Sequence, residues 1–155
     1  MRPRIPAALA VWLLFALGVG LPWSVSEVAS APMLAPTPDT VADAHYTAGL
    51  EAKAAQRFAA AVASFRRAVE TRPDFPEAWN ELGFALRQTG KYDDALRAYD
   101  QALKLRPNFP EALEYLGEAY AKLGRLGDAR AVLERLKPLD AARAQELDEA
   151  IQTAR

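Results

Sequence analysis

The feature that most limits what this chain can fold into is a period of 34 residues. Blocks 42–75, 76–109 and 110–143 align without gaps, and the first two close in near-identical turns, ETRPDFPEA and KLRPNFPEA. Gly49, Gly83 and Gly117 share one position; Ala61, Ala95 and Ala129 share a second; Phe65, Tyr99 and Leu133 share a third. Ala68 and Ala102 share a fourth, where the third block has Leu136, and Pro73 and Pro107 close the first two blocks. A period of this size marks stacked units, each of which buries its apolar face only against its neighbours.

Each block holds two amphipathic runs broken by a polar turn. In the second block Trp79, Leu82 and Leu86 recur at i, i+3 and i+7, one face of a helix. Gly90-Lys91 ends that run, and Tyr92, Leu96, Tyr99 and Leu103 form a second face. The shared glycine and alanines fall where paired helices approach closely, so that a larger side chain overpacks the contact by about 1–3 kcal/mol. Pro76 and Pro110 suit a first helical turn, where the amide has no partner. The spacing makes Trp79 a core residue, and Trp79→Ala is expected to cost about 3–5 kcal/mol.

The pattern Trp79-x2-Leu82-Gly83-x2-Leu86, followed by Ala95-x3-Tyr99-x2-Ala102-x4-Pro107, resembles the tetratricopeptide repeat. The resemblance covers about Ala42 to Arg143. It implies an all-α fold, a right-handed solenoid of three helix-turn-helix pairs. A capping helix over 140–155 completes it, with Asp140 as its N-cap and Ala144, Leu147 and Ile151 facing inward. Two departures stand out. In the first block the anchors shrink to His45, Ala48 and Ala52, so its first helix buries little. In the third, Pro138 ends the second helix early.

In proteins of this kind the first helix of each pair lines a groove for a peptide or helix. The groove positions carried over by the resemblance are Tyr46, Leu50 and Lys53, then Asn80, Phe84 and Arg87, then Glu114, Glu118 and Lys122. Phe84 lies off the Trp79/Leu82/Leu86 face. It is either a peptide anchor, with Asn80 one turn earlier to pair with peptide backbone, or it packs on the neighbouring block. Chaperone-docking repeats of similar fold hold a C-terminal carboxylate with cations. Here Tyr46 and Leu50 replace the first-block cation and asparagine, and Glu111 and Glu114 stand where cations belong. The expected partner is therefore a protein or peptide with apolar and basic residues.

Chemistry finds little foothold. There are no cysteines, so thiolate metal sites, disulfides and cysteine nucleophiles are excluded. His45 is the single histidine, and its repeat position is one that packs between helices. Asp93-Asp94 and Glu146/Glu149 read as a helix start and a solvated face, and no phosphate-binding glycine motif occurs. No catalytic residue, metal or cofactor is expected. The formal net charge of -1 gives no basic field for nucleic acid.

The N-terminus reads as an address. Arg2 and Arg4 precede the uncharged run Ala7–Leu21, and Ser24-Val25-Ser26 offers small residues before a cut at Glu27. Ala29 and Ala31 offer a second pair, although Pro32 would follow that cut. A signal peptide over 1–26 is the first reading. An uncleaved anchor over 7–25, which nearly reaches the roughly 20 apolar residues a span needs, is the alternative. Either exports the rest, to the periplasm or beyond, or to the outer side of an inner membrane. Pro32, Pro36 and Pro38 make 27–41 a spacer. The function expected is an adaptor or assembly factor that binds a partner in its groove. The alternative is a scaffold that self-assembles by stacking its repeats, giving a homo-oligomer.

Overall fold

A computed structural model describes residues 35–154; the expected address and most of the spacer lie outside them. Seven helices and no strands make up the described chain: α1 Pro38–Ala54, α2 Phe58–Thr71, α3 Pro76–Gln88, α4 Tyr92–Leu105, α5 Pro110–Lys122, α6 Leu126–Leu136 and α7 Ala141–Thr153. Prolines occupy the first turn of α1, α3 and α5, where the missing amide hydrogen costs no bond. Within each repeat the turn between helices needs one residue at positive φ. Gly90 and Gly124 supply it at 77° and 71°, and in the first repeat Gln56 is held there at 55°.

Each helix from α1 to α6 packs on the one that follows it, α1 against α2 most extensively. Beyond the repeats, α7 packs on both α5 and α6, the place a fourth first helix would take. One continuous core results, in which Phe65, Tyr99, Leu113, Leu136, Leu147 and Ile151 are wholly buried. α6 ends at Leu136, just before Pro138, and Asp140 accepts a hydrogen bond from the Arg143 amide to start α7. Among the described residues no helix is long and apolar enough to cross a membrane.

The three glycines of the shared position show how the units lock. A β-carbon on Gly49 would stand 2.4 Å from the Phe65 ring, and one on Gly83 would stand 2.6 Å from the Tyr99 ring. Both rings come from the second helix of the same repeat. The third repeat has Leu133 at that position, and Gly117 meets Leu147 of α7 instead, at 2.5 Å. The capping helix thus fills a hole that the third repeat lacks an aromatic ring to fill.

Two expectations change. α1 starts at Pro38, with Thr37 capping it, so Pro38–Val41 is helix and not spacer. Trp79 is only half-buried, because its ring lies at the edge of the core and its indole N–H donates to the Pro73 carbonyl at 2.8 Å. Its truncation should therefore cost less than the roughly 3–5 kcal/mol of a wholly buried ring. The reduced anchors of α1 do bury little: Ala52 is buried, His45 is half-buried and Ala48 is exposed.

Candidate partner-binding groove

The residues of interest lie on α1, α3 and α5, and the repeat itself brings them together. Lys53, near the end of α1, puts its ammonium 2.6 and 2.8 Å from the two carboxylate oxygens of Glu81 on α3. The same ammonium lies 5.1 Å from the centre of the Phe84 ring. One repeat on, Arg87 does likewise. Its guanidinium lies 5.5 Å from the Tyr115 ring and pairs with Glu118 at 2.7 Å. Arg87 also covers Phe84 from the other side, at 5.5 Å. Lys53 and Glu81 are 28 residues apart, the same separation as Arg87 and Tyr115. The cation of one first helix thus always meets the next first helix at the same level.

Phe84 is the centre of this arrangement. It is half-buried, with Phe58 at 6.2 Å on one side and Tyr115 at 5.4 Å on the other. The packing reading of Phe84 therefore holds in part. Its ring packs on the neighbouring repeats and still reaches the surface, under two cations that favour the ring face. Asn80, one turn earlier, is 1% exposed, and its Oδ1 has no hydrogen-bond partner. A buried acceptor left without a donor is costly unless something supplies one.

The remaining positions divide. Tyr46 and Leu50 are half-buried and pack on the core; the Tyr46 ring lies 5.8 Å from Phe65 and 4.8 Å from Phe75. They attach α1 more than they line a free surface, since its other buried residues are Ala42, Gly49 and Ala52. Burial, followed by the charges of Glu81, Glu77 and Glu111, pushes the Tyr46 hydroxyl up to about 12. Glu114 is 4% exposed and is held by Arg143 of α7, so the expected acid there is buried and neutralised. Lys122 is exposed and shares a cavity of about 300 Å³ with Arg87 and Glu118, closed by Ala150 and Thr153 of α7.

Burial raises the carboxyl pKa of both Glu81 and Glu114, and the paired cation in each case opposes it. The motif pattern missed Glu81, Tyr115, Phe58 and Arg143. A signal for Glu81 exists in the 28-residue spacing, which needs a cation in one first helix and an acid in the next.

A second ladder explains which charge stays free. Asp43 of α1 pairs with Arg72 at 2.7 Å, and Glu77 of α3 pairs with Arg106 in the same register one repeat on. Glu111 holds that place in α5, but the residue where its arginine would stand is Asp140. Arg143, the nearest cation beyond it, is already bonded to Glu114 and lies 3.4 Å from Asp140. Glu111 has no ion pair among the described residues. No cluster of three or more histidine or acidic groups suited to a metal occurs among them either.

Comparison with known proteins agrees with this architecture. The family model described as TPR repeat matches residues 83–124, and the one described as tetratricopeptide repeat matches residues 46–95. No curated protein sequence matches the chain. Solved structures do. The TPR2B domain of yeast Sti1, in complex with pHsp70, is 19% identical, covers 73% of this chain and 94% of its own, and superposes with a TM-score of 0.69. The first TPR of Spaghetti (RPAP3), bound to the HSP90 peptide SRMEEVD, gives 19% identity, 74% and 96% coverage and a TM-score of 0.68. The Arabidopsis OM64 TPR domain gives 14% identity, 75% and 98% coverage and 0.71. Sequence over 46–124 and structure over about three-quarters of the chain agree that this is a protein of tetratricopeptide repeats, folded as their all-α solenoid.

Proposed function

We propose that the α1–α3–α5 face is a binding groove for a partner peptide or helix, one that brings an apolar side chain to Phe84 and a basic side chain to Glu111. The observation that carries this reading is the Phe84 ring, which reaches the surface between Lys53 and Arg87 with the unpartnered Asn80 acceptor on the same helix. Two solved proteins of this fold are complexes, one with pHsp70 and one with an HSP90 peptide, which supports a protein-interaction module and not an enzyme. The chemistry differs from the acidic peptide SRMEEVD held by one of them. In this chain Lys53, Arg87 and Arg143 are each paired with an acid, and Glu111 is left without an ion pair, as is the exposed Lys122 at the far end of the groove. A carboxylate would be repelled at Glu111; a lysine or arginine would be drawn in.

The test is a paired capture from an envelope extract. One bait is the chain from Glu27 onward, and the other carries Phe84→Ala with Glu111→Lys, once its melt shows it folded. These two positions serve better than Asn80 or Arg87, whose polar atoms are buried. A protein held by the first bait and lost from the second supports the groove. Tight binding of SRMEEVD to the first bait overturns the proposed preference. In the same proposal residues 1–26 export the solenoid, as an adaptor or assembly factor for envelope proteins. The N-terminal residue of the mature protein, found by mass spectrometry, tests that step.

A second reading, self-assembly, draws support from one observation. Ala44 and Ala48 hold the places of Ala78 and Leu82, which are buried, yet both are exposed on α1. Stacking of a second chain there would cover them. Light scattering across a hundredfold concentration range separates the readings: a constant monomer mass removes the second.

A further inference from the structure

We propose that the cleft between α2 and α4 is a second docking surface, one that takes an amphipathic helix of another protein along a different face of α3 from the one bearing Phe84. The cleft encloses about 510 Å³, and its floor is Val69, Trp79, Leu82, Leu86 and Ala98. Trp79 is the half-exposed member of that floor. Its indole N–H is already bonded to Pro73, so what it offers a partner is the apolar ring.

The lining of the cleft is particular to this pair of repeats. In the gap between α4 and α6 the positions of Val69 and Leu86 are taken by the larger Leu103 and Tyr120, and Leu113, at the place of Trp79, is completely buried. The same backbone thus carries larger side chains in the second gap than in the first. The difference lies in the side chains and not in the fold.

The rim identifies the occupant. Arg66 and Glu70 line the α2 side, and Asp100 and Lys104 line the α4 side. All four are exposed, and none is in an ion pair among the described residues. Each couple is one turn apart on its helix. Arg66 and Asp100 hold the same place in successive repeats, as do Glu70 and Lys104, so the sign reverses across the cleft at each level. A guest must therefore point side chains three ways, down to the floor and out to both rims. A strand cannot, since its side chains alternate between two opposite directions. A helix can, because successive side chains turn about 100°. The α4 lining runs from Asp94 to Lys104, roughly 15 Å or three helical turns. The fitting helix carries an apolar stripe. Toward α2 it bears an acid and then a base, opposite Arg66 and Glu70; toward α4 it bears a base and then an acid, opposite Asp100 and Lys104.

Two dye-labelled helical peptides of about 18 residues, long enough to hold a helix, test this against the full chain by fluorescence anisotropy. Both have leucines at i, i+3, i+7 and i+10; one has the flank charges just described, and the other has them exchanged. The matched peptide is expected to bind about tenfold tighter. The four-fold exchange Arg66→Glu, Glu70→Arg, Asp100→Lys and Lys104→Asp, at exposed positions and without change of net charge, is expected to invert that preference. Equal binding of the two peptides, binding of neither, or a preference that survives the exchange overturns the proposal.

Discussion

α1 and α7 are both end helices, yet they are held in different ways. α7 drives Leu147 and Ile151 into the core, at 0% and 1% exposure, while α1 buries nothing larger than alanine and leans on half-buried Tyr46 and Leu50. α7 has a capped start and no residue at positive φ; α1 is followed by Gln56 in the left-handed region. Both ends are joined to the interior by one part-buried ion pair, Lys53 to Glu81 and Arg143 to Glu114. The lesson is that a solenoid end is made stable by the apolar volume it inserts, since the charged joint is common to both.

The sharpest way to break this comparison is a pair of truncations. Leu147→Ala should cost about 3 kcal/mol, as a wholly buried leucine does, and Leu50→Ala about 1 kcal/mol. Urea unfolding of both variants measures this, and equal losses would remove the distinction. Next come the glycines. Gly49→Ala presses on the rigid Phe65 ring and should cost about 1–3 kcal/mol, whereas Gly117→Ala meets the flexible end of Leu147 and should cost less. A larger loss at Gly117 would mean that α7 is the less yielding end.

A smaller effect is expected at the turns. Gln56→Gly should stabilise the chain by about 0.5–1 kcal/mol, and Gly124→Ala, at the equivalent place, should destabilise it by about 1 kcal/mol. Thermal melts decide, and a Gln56→Gly variant less stable than the parent would refute the strain at the N-terminal turn. The smallest effect concerns pH. Glu81 and Glu114 take up a proton at higher pH in the folded chain than in the unfolded one, where the value is near 4.5. Their ionisation therefore weighs against folding as pH rises from about 4.5 through the raised values. Glu81→Gln and Glu114→Gln should each lose that part of the pH slope. Urea melts between pH 4.5 and 7 test it, and slopes unchanged from the parent would count against burial as the cause.

The sequence and the structure part company at identifiable residues. The 34-residue period was enough for six helices and their pairing, because small residues in register mean close helix contacts, and Asp140 with the spacing of Ala144, Leu147 and Ile151 was enough for the cap. It could not show that Gly117 meets Leu147, since that contact requires α7 to fold back over a hole left by Leu133. Nor could it grade depth. Trp79 and Leu82 lie on one face by spacing, but Trp79 is at the margin of that face and reaches a cleft. The groove residues were placed by family register alone. That register brought Phe84, Lys53, Arg87 and Glu118 to one spot and said nothing of burial. For that reason Asn80 and Glu114 proved enclosed and Tyr46 proved to be an attachment.

Asp140 ties two properties together that an engineer would treat as separate. It caps the closing helix, and it stands where the previous repeats carry the arginine that neutralises the acid of each first helix. Inserting another copy of the middle repeat before residue 140 would lengthen the array. It would also set an arginine beside Glu111 and extinguish the free charge there. The copied Glu77 would then face Asp140 in its place, so the free acid travels with the last first helix, and a longer version of this protein would present it farther from Phe84.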